Sequence, residues 1–308
     1  MKKLTRLIPL FAALIVSACG GGSSGSSSGD VAGSGVLSVG LTDAPVVNAE
    51  NVVIYFTQVQ LHGDDGTTTE IPVYDPLTGL PGRSIDLLQL QGDKSIVLFR
   101  EELPAGNYSW LRLELDLEPQ RSYIQINGQQ HALRCTSCQN SGYKLNRSFK
   151  VETDAVMAYT VDFDLRKSIT LSNNGYHLRP TLRVVQTAAA GHLSGVVDGT
   201  LISQLGGEAG CAVYVYEGHN VVANDIYLPE AQALPAGHHN PVASAAVAAS
   251  SHDYTVGFLA AGNYTVALTC DAERDDVASQ DSAVEFYGAT NVTIAAGQIT
   301  MHDFNPQP

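Results

Sequence analysis

The chain has 308 residues, of which 44% are hydrophobic, with 17 Lys and Arg against 31 Asp and Glu for a formal charge of −14. That hydrophobic share excludes a disordered polymer, and the length suggests about two domains, each able to bury a core. The acidity excludes dedicated nucleic-acid binding and adsorption to anionic lipid through charge.

The first element is basic at Lys2, Lys3 and Arg6, apolar from Leu7 to Val16, and ends Ser17-Ala18-Cys19. A basic start, a short apolar run and small residues describe a secretory signal, and the run is too short to span a membrane as a helix. With cysteine at its end, this segment resembles a bacterial lipoprotein signal. The resemblance implies cleavage of residues 1–18 and lipidation of Cys19, with palmitate or a similar acyl chain, and two such chains give stable anchoring. Gly20, not Asp, follows Cys19, which by the same resemblance implies the outer membrane of a Gram-negative bacterium. Residues 19–34 then form a lipidated Gly/Ser-rich tether, a flexible coil reaching roughly 20–25 Å.

Short apolar or alternating runs separated by Gly, Asn, Pro and Asp dominate the rest. Asp64-Asp65-Gly66 reads as a turn tip. Trp110–Glu118 alternates strictly, with Leu111, Leu113, Leu115 and Leu117 on one face, as a half-buried antiparallel strand does. Asn127-Gly128 and Asn173-Asn174-Gly175 each sit between two such runs and predict hairpins. A domain boundary falls near Ala188–Gly191, and residues 228–251 read as a long loop of the second domain. The spacing predicts an all-β protein with two antiparallel β-sandwich domains, residues 35–188 and 191–306.

Four cysteines follow Cys19, and an even number in an exported chain points to disulfides. Cys135 and Cys138 can form a disulfide, a redox pair or half a metal site. Alternation places Cys211 with Val213 and Val215, and Cys270 with Val266 and Leu268. Both thiols then point into an apolar interior, as a bridge between two sheets needs.

Leu103-Pro-Ala-Gly-Asn-Tyr108 recurs as Leu259-Ala-Ala-Gly-Asn-Tyr264. The pattern resembles the turn of transthyretin-like and carboxypeptidase-regulatory-like sandwiches, which implies a Greek-key arrangement like that of immunoglobulin domains. A tyrosine at such a corner can hydrogen-bond back to the preceding turn. After Tyr264 the apolar face keeps the tyrosine's parity, whereas after Tyr108 it has the opposite one, so either a bulge lies near Trp110 or the likeness is local.

Six ordered segments carry a second resemblance. They are Leu37–Pro45, Ser84–Leu88, Leu103–Tyr108, Gly142–Leu145, Val161–Ile169 and Tyr176–Pro180. Together, over residues 35–187, they resemble the bacterial lipoprotein domains known only as domain of unknown function 4382. The resemblance implies export and a β-rich fold, and carries no activity.

Candidate chemistry is sparse. Asp162 and Asp164 alternate with Val161, Phe163 and Leu165, so both carboxylates are expected on one strand face, either as a polar outer face or as the acid pair of a glycosidase. Asp271, Glu273, Asp275, Asp276 and Asp281 crowd one loop and offer oxygens to calcium. His238 and His239, with His219 and His252, offer imidazoles to a transition metal. Tyr214, Tyr216, Tyr227 and Tyr287 offer an aromatic surface for sugar stacking. Ser, His and Asp occur without a nucleophile motif to place them. No cofactor other than calcium is implied.

The expectation is a lipid-anchored cell-envelope protein that binds a glycan, a protein or matrix without catalysis. The alternatives are a hydrolase with a carboxylate site between the domains and a structural subunit of an envelope complex.

Overall fold

The computed structural model describes residues 33–43, 49–136, 138, 142–179, 181–207, 210–228, 233–279 and 284–306. Cys19, the signal and the tether up to residue 32 lie outside them, while Ser34, read as the last tether residue, already opens the first strand. In the first part of the chain the strands are β1 (Ser34–Thr42), β2 (Asn51–Gly63), β3 (Thr68–Pro72), β4 (Arg83–Asp86), β5 (Ile96–Pro104), β6 (Gly106–Asp116), β7 (Tyr123–Ile126) and β8 (Gln129–Arg134). They continue as β9 (Tyr143–Leu145), β10 (Phe149–Val151), β11 (Val156–Asp162), the one-turn helix α1 (Leu165–Ser168), β12 (Ile169–Ser172), β13 (Gly175–Leu178) and β14 (Arg183–Gln186). The second part holds β15 (Ala190–Val196), helix α2 (Gly199–Gln204), β16 (Ala212–Glu217), β17 (Ala243–Ala246), β18 (Asp253–Ala260), β19 (Gly262–Thr269), β20 (Tyr287–Ile294) and β21 (Ile299–Met301). The protein is all-β, as expected.

Two sheets share one core in the first part. One has the order β14-β11-β1-β5; the other runs β10-β6-β2-β7-β8-β13-β12, with β3 and β4 on the far edge of β2 and β9 beside β6. Leu37, Val39 and Leu41 of β1 meet Ile54, Phe56, Leu111 and Leu113 of the facing sheet in that core. The second part packs the sheet β18-β15-β21 on β17-β16-β19-β20 around Leu193, Val213, Val215, Val256, Val266 and Leu268. Most pairings are antiparallel, but β1–β11, β8–β13 and β15–β21 are parallel.

Local sequence accounts for much of this. Asn127 and Gly128 both take positive φ, 49° and 74°, the geometry of a two-residue hairpin turn matched to strand twist. The second segment closes the β12–β13 hairpin differently, with Asn173 and Asn174 as the loop between Ser172 and Gly175 and the positive φ, 101°, on Gly175. Both repeated corners make the expected bond. The Tyr108 hydroxyl donates to the Pro104 carbonyl at 2.9 Å and that of Tyr264 to the Ala260 carbonyl at 2.7 Å. The parity conflict after Tyr108 is resolved by a bulge. Tyr108 pairs with Gly63 and Trp110 with His62, leaving Ser109 as the extra residue, which turns Leu111 and Leu113 to the tyrosine's side of the sheet.

Two expectations need correction. Residues 228–251 are not wholly loop, because Ala243–Ala246 add an edge strand to β16. Both disulfides form, but Cys211–Cys270 does not bridge two sheets. It joins β16 to β19, which are neighbours in one sheet with Ala212 opposite Thr269. Alternation fixes the face a thiol occupies and leaves its partner strand open.

Candidate functional site at the junction of the two sandwiches

Asp162 ends β11, and the strand stops there. Asp164 therefore leaves the pleat and becomes the N-cap of α1, its carboxylate accepting from the Lys167 backbone N–H at 3.2 Å and facing Lys167 Nζ at 2.6 Å. Asp162 pairs across the ladder with Arg183 of β14, Oδ2 to Nη2 at 2.5 Å. Both carboxylates are buried, at 5% and 3% exposure, so neither belongs to a polar outer face, and they do not share a strand face. Burial pushes the Asp162 carboxyl above its usual range, with Arg183 opposing and Asp164 adding to the rise.

Arg183 also reaches out of the first sandwich. It donates to the carbonyls of Phe258 at 2.5 Å and Gly257 at 3.3 Å, both on β18. Gly257 lies against the Gly92 carbonyl so closely that a Cβ there would overlap it. Val185, Ala190 and Phe258 add a small apolar cluster beside this contact. A second arm comes from α1. Arg166 donates to the Ala272 carbonyl and lays its guanidinium over the Tyr214 ring, 5.2 Å from the centroid. The Tyr214 hydroxyl in turn donates to Asp275, whose other oxygen accepts from the Ile226 backbone N–H at 3.1 Å. Two arginines of the first sandwich thus hold the second through three backbone carbonyls and one aromatic face.

The six motif segments fall on β1, β4, the β5–β6 corner, β9, β11 with α1, and β13. Residues 34–180 match the family described as Domain of unknown function (DUF4382). The match spans just under half of the chain and ends before β14. Asp162, Asp164 and Arg166 therefore lie inside the DUF4382 region, while Arg183 and the whole second sandwich lie beyond it. No curated protein matches the chain. Among solved structures it is similar to the Bacillus anthracis TIE protein (12% identity, 88% of this chain, TM-score 0.20) and spans 34% of that chain. It is also similar to GBS52, the minor pilin of Streptococcus agalactiae (12% identity, 88% of this chain and 97% of that one, TM-score 0.18). A third is BcpA, the major pilin subunit of Bacillus cereus (10% identity, 88% and 98%, TM-score 0.21). Scores at this level carry no argument about fold or function.

The remaining candidates all lie in the second sandwich, outside the DUF4382 region. Tyr214 and Tyr216 do not offer an exposed surface, since both are fully buried. They do lie opposite the Cys211 face, but that face is covered by Val221, Ile226, Ala272, Val277 and Phe286. Loops after β16 and β19 make a second core where alternation alone predicts solvent, and burial raises both phenols above their usual range. Tyr227 and Tyr287 are half-buried. The acidic loop disperses. Asp271 pairs with Arg274 at 2.9 Å, Asp275 serves Tyr214 and Ile226, and Asp276 caps the Ala278 N–H at 3.0 Å. Asp281 lies outside the described residues, among which no group of three His, Cys, Asp or Glu is placed to hold a metal. His238 is buried against Asp225, its Nε2 at 3.1 Å from the Asp225 carbonyl, whereas His239 and His219 are exposed.

Proposed function

We propose that the chain is a non-catalytic binding protein of the cell envelope, anchored through lipidated Cys19 in the outer membrane and carrying its two sandwiches on the Gly/Ser tether. The observation that carries the reading is the commitment of Asp162 to Arg183 and of Asp164 to Lys167 and the α1 cap. The acid pair of a glycosidase needs one protonated and one free carboxyl facing the sugar. Here both are occupied in holding structure together. The two corners closed by Tyr108 and Tyr264 support reading the second sandwich as transthyretin-like.

The test is retention of ligand. Immobilised full-length chain is exposed to envelope and matrix glycans and proteins, and the bound material is eluted and weighed. The reading expects ligands recovered at unchanged mass. Accumulation of shortened products, abolished by Asp164→Asn, would establish a hydrolase in its place.

A further inference from the structure

The open side of the first sandwich, between the edge strands β9 and β14, holds a cleft of about 460 Å³ lined by Tyr143, Lys144, Asn146, Arg147, Leu182 and Arg183 among others. That volume falls in the range of small-molecule sites. No carboxylate of the described residues lines it, although acidic residues outnumber basic ones 31 to 17 in the chain. Of its three cations only Arg183 has an acidic partner among the described residues, and cations set apart from acids concentrate field at one place.

The cations differ in how free they are. Arg183 is neutralised by Asp162. Lys144 rests its ammonium 4.6 Å from the Trp110 ring centroid. Arg147 is exposed and has no ion-pair partner among the described residues. Under the lining, the Tyr143 hydroxyl and Arg183 Nε are buried without a hydrogen-bond partner among those residues. Both atoms are closed to solvent, so they lie beneath the cleft, and the groups open to a ligand are Lys144, Asn146 and Arg147.

We propose that this cleft binds an acidic saccharide, its carboxylate or sulfate taken by Arg147 and Lys144 and its hydroxyls by Asn146. Guanidinium forks match such anions geometrically. An acidic peptide fits less well, because adding a strand needs a run of free backbone groups, and β9 offers three residues. The inference rests on the binding-protein reading but not on the lipid anchor.

The test measures binding of oligogalacturonate to the full chain by calorimetry, with its methyl ester as the neutral form and polyglutamate as the peptide form. Arg147→Glu should weaken binding by about tenfold or more, in line with losing a charge-assisted contact. Arg100→Glu, an exposed cation on β5 at the opposite edge of the sheet, should leave it unchanged. Because Arg147 is exposed and unpaired, the variant should melt like the wild type. Absence of binding, equal binding of the methyl ester, tighter binding of polyglutamate, or indifference to Arg147→Glu would each overturn the proposal. Retention of some neutral ligand instead would leave the binding-protein reading standing, whereas hydrolysis of the probe would sink that reading and leave the cleft.

Discussion

Arg183 and Asp162 form one ion pair, yet removing either partner should cost very different amounts. The Asp162 side chain is 7% exposed and that of Arg183 22%. Arg183→Ala strands a buried carboxylate and frees the carbonyls of Gly257 and Phe258 from their donor. Removing one partner of a buried pair costs about 3–5 kcal/mol, and the partial exposure of Arg183 places the loss near the lower end. At roughly 2–4 °C per kcal/mol for a chain this large, the melting temperature should fall by about 6–12 °C. Asp162→Asn keeps the shape, and Arg183 keeps both carbonyl acceptors and its contact with water, so the loss should be about 1 kcal/mol. The pH dependence has a definite sign. Burial raises the folded-state pKa of Asp162 above its unfolded value, so its contribution favours folding most at low pH and declines as pH rises through the folded value. The wild type should therefore gain on Asp162→Asn as pH falls through the raised folded-state value. Scanning calorimetry of the full chain and both variants checks this. Equal losses in the two variants, or an Arg183→Ala loss below about 1 kcal/mol, would refute the reasoning.

Gly257→Ala should destabilise by about 1–3 kcal/mol, since its new methyl meets the Gly92 carbonyl across the junction and overpacking has that cost; urea titration reads it. Tyr108→Phe and Tyr264→Phe should each lose about 1 kcal/mol, the net worth of one hydrogen bond, and by similar amounts because the corners are equivalent. Replacing Cys211 and Cys270 together by Ala should cost roughly 4 kcal/mol by chain entropy, against roughly 2 kcal/mol for Cys135 and Cys138. Equilibrium unfolding under matched conditions compares the two pairs.

Features set by neighbouring residues were legible in the sequence. Asn127-Gly128 dictates its turn because few other pairs tolerate positive φ at both positions. The misfit of parity after Tyr108 left a choice between a bulge near Trp110 and a local likeness, and the pairing of β2 with β6 decides for a bulge at Ser109. Features set by distant contacts were not legible. Period-two alternation put Tyr214 and Tyr216 opposite Cys211, but whether that face meets water depends on loops around Ile226 and Val277 that carry no periodicity. The same limit applies to Asp162 and Asp164. Their spacing implied a shared face only if the strand continued, but β11 ends at Asp162 and Asp164 is already the N-cap of α1. The role of Arg183 depends on Gly257, 74 positions away, which no local pattern connects to it. Its one local sign was a charged residue opening the apolar run Arg183-Val184-Val185.

The intact mass of the chain purified from bacterial membranes tests the lipid anchor at Cys19 most directly. The predicted result is a chain beginning at Cys19 with the added mass of its acyl groups, and a Cys19→Ser variant that lacks that mass and leaves the membrane fraction. A mature chain without acyl mass, recovered in the soluble fraction, would contradict the envelope-anchored reading.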